Sequence, residues 1–171
     1  MIRVCFHGAE STGKSSLAAL LAGELGCPLV PEYGRTYAET VTTDFTMQDL
    51  LTIAREQDRL MHAASEGDPP LVLLDTDPLM TAAWAHMLFG EIPGELVSFE
   101  KAELYLLFAP DVPWVFDRTR FFGLEEARAQ FAGIAEELLR TAGVRYETIS
   151  GDWAQREAAT RAAIARVAGY R

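Results

Sequence analysis

Short apolar runs alternate along the chain with longer stretches in which apolar residues recur every three or four positions, and this predicts strands interleaved with helices. Ile2 to Phe6 reads as a buried strand. Lys14 to Leu25 reads as its helix, with Leu17, Ala18, Leu21 and Leu25 on one face and Gly26 as the stop. Leu29 and Val30 predict a brief second strand ending at Pro31-Glu32-Tyr33. Thr46-x-x-Asp49 has the form of a capping box and opens a helix to about Ala64, striped by Met47, Leu50, Leu51, Ala54 and Met61. After the turn at Gly67-Asp68-Pro69-Pro70, the uninterrupted run Leu71 to Leu74 predicts the most buried strand. Asp77 followed by Pro78 is an N-cap and first-turn pair for a helix to about Phe89, closed by Gly90. Residues 95 to 103 read as helical and Leu104 to Phe108 as a fourth strand. Leu124 to Ala142 reads as a long amphipathic helix and Val144 to Ile149 as a fifth strand, and Asp152-x-x-Gln155 caps a last helix to about Ala168.

Strands alternating with helices imply an α/β domain, a five-stranded parallel sheet with helices on both faces in three layers. No internal repeat or linker divides residues 1–171, so a single domain is expected. Ligands of such sheets bind beyond the carboxyl ends of the strands, which makes the polar residues there the candidates.

The first strand runs into Gly8-Ala9-Glu10-Ser11-Thr12-Gly13-Lys14-Ser15-Ser16. This is the G-x-x-x-x-G-K-[ST] phosphate loop, set between a strand and a helix as its mechanism requires. Backbone N–H groups of such a loop wrap phosphate oxygens, and the following helix points its positive end at the same anion. Lys14 is placed to reach the β- and γ-phosphates of ATP, and the Ser15 hydroxyl to ligate Mg²⁺. The fold class that follows is the P-loop NTPase fold, of the nucleoside and nucleotide kinase kind.

The other strand ends carry acids. Glu32 follows the second strand, with Tyr33, Arg35 and Tyr37 just beyond, and Asp75 and Asp77 follow the third. One such acid can hold Mg²⁺ while another orients or deprotonates an attacking hydroxyl. Asp75, directly after four apolar residues, fits the Walker B position, whereas helix capping competes with a catalytic use of Asp77. Between the fourth strand and the long helix, the lid region of about residues 110–128 contains Arg118 and Arg120, placed to close over a transferred phosphoryl group. Arg128, on a helix, reads as an ordinary solvated arginine. A flat acceptor ring has Trp84 and Phe89, or Tyr33 and Tyr37, to stack on, and core packing competes for the same rings. Trp114 and Trp153 are read first as core. His7, His62 and His86 show no ligand spacing.

The net charge of −10 argues against a nucleic-acid or anionic-membrane surface, and no apolar stretch approaches the length of a membrane span. Cys5 and Cys27 read as buried thiols of a reducing compartment, and Met1 leads straight into the first strand without a targeting segment. A cytoplasmic protein is expected.

Four segments together resemble one family. Gly8-x-Glu10-Ser11-x-Gly13-Lys14-Ser15, Glu32-Tyr33-x-Arg35-x-Tyr37, Asp75-Thr76-Asp77 and Pro110-Asp111-x-Pro113-Trp114-Val115-x-Asp117-x-x-Arg120 are similar, in this order, to the ribosylnicotinamide kinase domain of NadR-type proteins. That domain falls among small P-loop, AAA-type ATPases similar to nucleoside kinases. The resemblance implies transfer of phosphate from ATP to the 5′-hydroxyl of nicotinamide riboside, giving nicotinamide mononucleotide for NAD salvage. By the same analogy Lys14 and Ser15 handle ATP and Mg²⁺, and Asp75 or Asp77 supports the metal or the hydroxyl. Glu32, Tyr33, Arg35, Asp77 and Trp84 are the acceptor-side candidates, and Arg118 or Arg120 would close on the phosphates. Gly34 stands where the family pattern implies Ala. No His-x-Gly-His segment occurs, so adenylyltransferase and repressor activities are not expected of this chain. Two other functions fit the same loop: a kinase of another nucleoside or small metabolite, and a P-loop ATPase acting as a switch.

Overall fold

The computed structural model describes residues 1–114 and 124–169. Five strands, β1 (Ile2–Gly8), β2 (Leu29–Val30), β3 (Leu71–Leu74), β4 (Leu104–Phe108) and β5 (Tyr146–Ile149), pair in the order β2-β3-β1-β4-β5. Every pairing is parallel. The described residues form seven helices, α1 (Lys14–Leu25), α2 (Tyr33–Thr40), α3 (Met47–Ser65), α4 (Pro78–Phe89), α5 (Gly94–Ser98), α6 (Glu125–Thr141) and α7 (Trp153–Ala168).

The pleat of β1 divides the core. Val4 and Phe6 face α1 and α7, packing with Leu17, Leu21, Ala163 and Ile164. Cys5 faces the opposite layer with Leu74, Tyr105 and Leu139. A second apolar group on that side joins α3, α4 and α6 through Leu50, Ile53, Met80 and Phe131. With both faces covered, β3 and β4 are buried along their whole length, which is why they read as continuous apolar runs.

The expected caps form. Thr46 and Asp49 make a reciprocal capping box on α3, as Asp152 and Gln155 do on α7. Two elements differ from expectation. Helix α2 has no counterpart in the pattern reading, because none of its eight residues is buried and no side chain caps it. Its inward face is only Tyr33 and Tyr37, half-buried against the core, two positions in a run too short to read as a helix. Helix α5 ends at Ser98, not at residue 103. There Lys101 Nζ turns back onto the carbonyls of Val97, at 2.9 Å, and Phe99, ending the helix before β4.

Candidate functional site

The carboxyl ends of β1, β2 and β3 each feed one part of a cavity of about 380 Å³. The loop after β1 forms its first wall. Gly8 sits at φ +121°, and a Cβ there would lie 2.6 Å from the Phe108 carbonyl oxygen, so the close approach of β1 to β4 admits only glycine. Gly13, at φ +86°, is the N-cap of α1 and offers no side chain to its free N–H groups. With no acid in its first turn either, α1 presents its positive end to the loop. Lys14 Nζ bridges the loop to the Ala9 carbonyl at 2.6 Å, and the Thr12 hydroxyl donates to the same oxygen at 2.9 Å. Gly8, Glu10, Ser11, Thr12, Gly13, Lys14, Ser15 and Ser16 all line the cavity, whereas Ala9 is packed in the core at 1 % exposure.

Asp75, at the end of β3, accepts a hydrogen bond from Ser15, while its Oδ1 is buried and has no partner among the described residues. Burial first, and then the charge of Glu32, push its carboxyl up to about 6; Ser15, Lys14 and Arg35 act in the opposite direction. Lys14, Glu32, Arg35 and Asp75 thus form one electrostatically coupled group where the ends of β1, β2 and β3 meet. Glu32 and Arg35 line the cavity and Tyr33 does not. Tyr33 packs edge-on to Tyr37, ring centroids 6.3 Å apart, as part of the core on that side.

Asp77, expected in catalysis or acceptor binding, is set back from the cavity. It is wholly buried, caps α4 by accepting from Leu79 N at 3.1 Å, and takes the Tyr105 hydroxyl on its other oxygen. It does not line the cavity. Ligand atoms of Cys5, His7 and Asp77 lie within 4.8 Å of one another, a grouping that linear spacing hides. Burial raises the Cys5 thiol and, with help from Lys14, lowers the His7 imidazole to about 3, so both stay neutral in this cluster. Arg118 and Arg120 lie outside the described residues.

The far end of the cavity is apolar. Phe45, Leu50, Ile53, Met80, Trp84 and Phe131 line it, with the rings of Trp84 and Phe131 5.1 Å apart and tilted by 57°. Gly34 and Ala38 of α2 complete this wall. A Cβ on Gly34 would meet Ile53 Cγ2 at 3.7 Å, an ordinary contact, so the alanine implied by the family pattern would fit.

Sequence reading missed several residues here. Gln57 is buried on α3, accepts from Tyr33 N at 2.8 Å, and donates to the carbonyls of Pro31 at 3.2 Å and Thr76 at 3.5 Å. It thereby buckles the end of β2 to the end of β3. Thr76 adopts φ +117°, a strained backbone for a β-branched residue, and its buried hydroxyl has no partner among the described residues. Arg128, expected in solvent, is 5 % exposed and sends both terminal nitrogens to the Val112 carbonyl at 3.2 Å. Trp153, expected in the core, is 47 % exposed, and its ring edge lies 3.2 Å from where a Cβ on Gly13 would be.

A phosphate loop on the central strand, the strand order β2-β3-β1-β4-β5 and an acid at the end of β3 define a P-loop kinase fold. The chain belongs to the AAA domain family, whose model matches residues 3–156. It is 26% identical over 152 residues to the trifunctional NAD biosynthesis/regulator proteins NadR of Salmonella typhimurium and Escherichia coli. Those matches cover 84% of this chain and 37% of each relative, so the chain spans little more than a third of the length of these relatives. Its fold superposes on NadR in complex with NR with a TM-score of 0.81, at 22% identity over 99% of this chain and 50% of that one. NadR in complex with NAD and AMP-PNP gives 0.77, at 23% identity over the same shares of the two chains. Deoxyadenosine kinase from M. mycoides gives 0.68, at 11% identity over 96% of this chain and 100% of the other. The resemblance drawn from the four motifs therefore holds across most of the chain. Among the described residues no helix is long and apolar enough to cross a membrane.

Proposed function

We propose that this protein is an ATP-dependent kinase that phosphorylates the 5′-hydroxyl of nicotinamide riboside. The observation that carries the reading is a cavity with a phosphate loop at one end and an aromatic wall at the other, with Glu32 on its lining and Asp75 electrostatically linked to Glu32 and Lys14. A riboside matches that sequence of environments: a flat base against Trp84 and Phe131, and a hydroxyl delivered towards the loop. The NadR relatives, one with NR in its solved structure, support this choice of acceptor.

In the transfer, the acceptor oxygen forms a bond to the γ-phosphorus as the bond to the β-phosphate oxygen breaks, releasing ADP and the hydroxyl proton. Glu32, on the cavity wall, is the group that receives that proton. Lys14 supplies positive charge to the β- and γ-phosphates. The donor set of Ser15 hydroxyl and Asp75 carboxylate, with one buried Asp75 oxygen unpartnered among the described residues, fits a hard oxygen-seeking cation, so these two residues would hold Mg²⁺. The cation, when bound, neutralises charge developing on the phosphates. Arg118 and Arg120 would add further positive charge from the lid.

The full-length likeness to deoxyadenosine kinase favours a second reading, a kinase of a different nucleoside on the same machinery. A panel of ribosides with ATP and Mg²⁺, followed by ADP release, separates them. The highest kcat/KM is expected for nicotinamide riboside. A larger value for another nucleoside would move the assignment to that substrate, and slow hydrolysis indifferent to every acceptor would replace the kinase with an ATPase switch.

A further inference from the structure

Arg156, in the first turn and a half of α7, is 1 % exposed and contributes nothing to the cavity wall. Its guanidinium reaches three loops at once. Nε donates to the Gly151 carbonyl at 2.7 Å, Nη1 to the Thr12 carbonyl at 3.3 Å, and Nη2 to the Ala109 carbonyl at 3.0 Å and to Asp111 Oδ1. The other oxygen of Asp111 accepts from Gly151 N at 2.7 Å, and the Phe108 ring lies under the guanidinium, 5.9 Å from centroid to Cζ. The loop after β1 is thereby fastened to the loops after β4 and β5 through one side chain.

The bond to Thr12 matters most. In a trans peptide the C=O and the N–H of the same unit point to opposite sides. Drawing the Thr12 oxygen outward onto Arg156 turns the Gly13 N–H the other way, towards the interior of the loop. Gly13 has no side chain to impose that orientation, and its φ of +86° leaves the peptide free of the usual steric limits. The Thr12 hydroxyl, bonded to Ala9, pins the residue from the other side.

We propose that Arg156 is a positioning residue for the nucleotide: it sets the Thr12–Gly13 peptide so that the loop's N–H groups face the phosphates, without touching the nucleotide itself. This rests on the reading of the loop as the ATP site. The test is calorimetric titration of AMP-PNP with Mg²⁺ into wild type, Arg156→Met, Arg156→Lys and Arg128→Met. Arg128 is the control, a guanidinium almost as buried whose bonds run to Val112. Losing a charge-assisted hydrogen bond to the loop should weaken AMP-PNP about tenfold or more in Arg156→Met. Arg156→Lys keeps the charge but not the fork and should lose about fivefold, while Arg128→Met should stay within about twofold of wild type.

A purely structural role would lower the melting temperature of both methionine variants and leave the affinity of the folded protein unchanged. Should Arg156→Met fail to fold, Arg156→Lys decides. Folded Arg156→Lys binding AMP-PNP as wild type does would overturn the proposal, as would an equal loss in Arg128→Met. A wild type that binds no AMP-PNP would instead overturn the nucleotide reading, leaving a different failure in view.

Discussion

Replacing Asp75 with asparagine should make the protein more stable and less active, and the stability gain should depend on pH. Burial and the charge of Glu32 move this carboxyl from 3.8 to about 6. The ionised form therefore opposes folding by about 3 kcal/mol once both the folded and unfolded chains have lost the proton. Asparagine keeps an acceptor for Ser15 and removes the charge, but introduces an amide that also wants partners, so about half of that figure is expected, roughly 1–2 kcal/mol. For a domain of this size the gain corresponds to a rise in melting temperature of about 3–6 °C at pH 8. Between 3.8 and about 6 the folded chain holds a proton that the unfolded chain has released, so wild-type stability falls as pH rises through that window. The advantage of the variant should be full above about pH 7 and largely gone by about pH 4. Asp77, also raised to about 6 by burial, titrates in both proteins and cancels in the difference. Thermal unfolding at pH 8, 6 and 4.5, without nucleotide or divalent cation, measures it. An equal or lower melting temperature for Asp75→Asn at pH 8, or the same gain at every pH, would refute the reasoning.

Three further substitutions address other parts of the cavity. Lys14→Ala should cut turnover by about a hundredfold or more, since the β- and γ-phosphates lose their principal cation; a rate near wild type would remove the loop from the chemistry. Trp84→Ala should raise the acceptor KM about tenfold or more while the ATP KM stays within about twofold, because its ring belongs to the apolar end; equal changes in both constants would contradict that division. Gly8→Ala, with its Cβ 2.6 Å from the Phe108 oxygen, should lower the melting temperature and weaken AMP-PNP binding together. A variant at wild-type stability would show that β1 and β4 can part there.

Much of the donor half was legible because it is local. The glycine and lysine spacing of residues 8–15, and the apolar runs before Gly8 and Asp75, are contiguous in sequence. Buried polar residues that tie the surrounding elements together were harder to see, although their register carried a signal. Gln57 is in phase with Leu50, Ile53, Ala54 and Met61; Arg128 with Phe131, Ala135 and Leu138; Arg156 with Thr160, Ala163 and Ile164. A polar side chain at the next position of an inward stripe marks a buried anchor; Arg128 was read as solvated surface, and Gln57 and Arg156 were passed over. Asp77 posed the converse problem. Its capping signature and its place near Asp75 were both visible, while the bond from the Tyr105 hydroxyl and the depth of burial were not. Helix α2 was not legible because it is only eight residues long and its inward face is just Tyr33 and Tyr37, both half-buried.

That same helix makes the two ends of the cavity unequal in how they can change over generations. The phosphate end hangs from β1, hydrogen-bonded on both edges, and a substitution there disturbs the centre of the sheet. Gly34, Arg35 and Ala38 on α2 face the acceptor end, yet no buried side chain of α2 would be displaced if they were replaced. New side chains can therefore be tried against the acceptor at little cost in folding, while the donor stays fixed. Amide exchange should show the same split, with β1 opening only on global unfolding and α2 opening far more readily; equal protection of the two would remove the distinction. On the proposed kinase reading, acceptor choice is the property of this scaffold most free to drift.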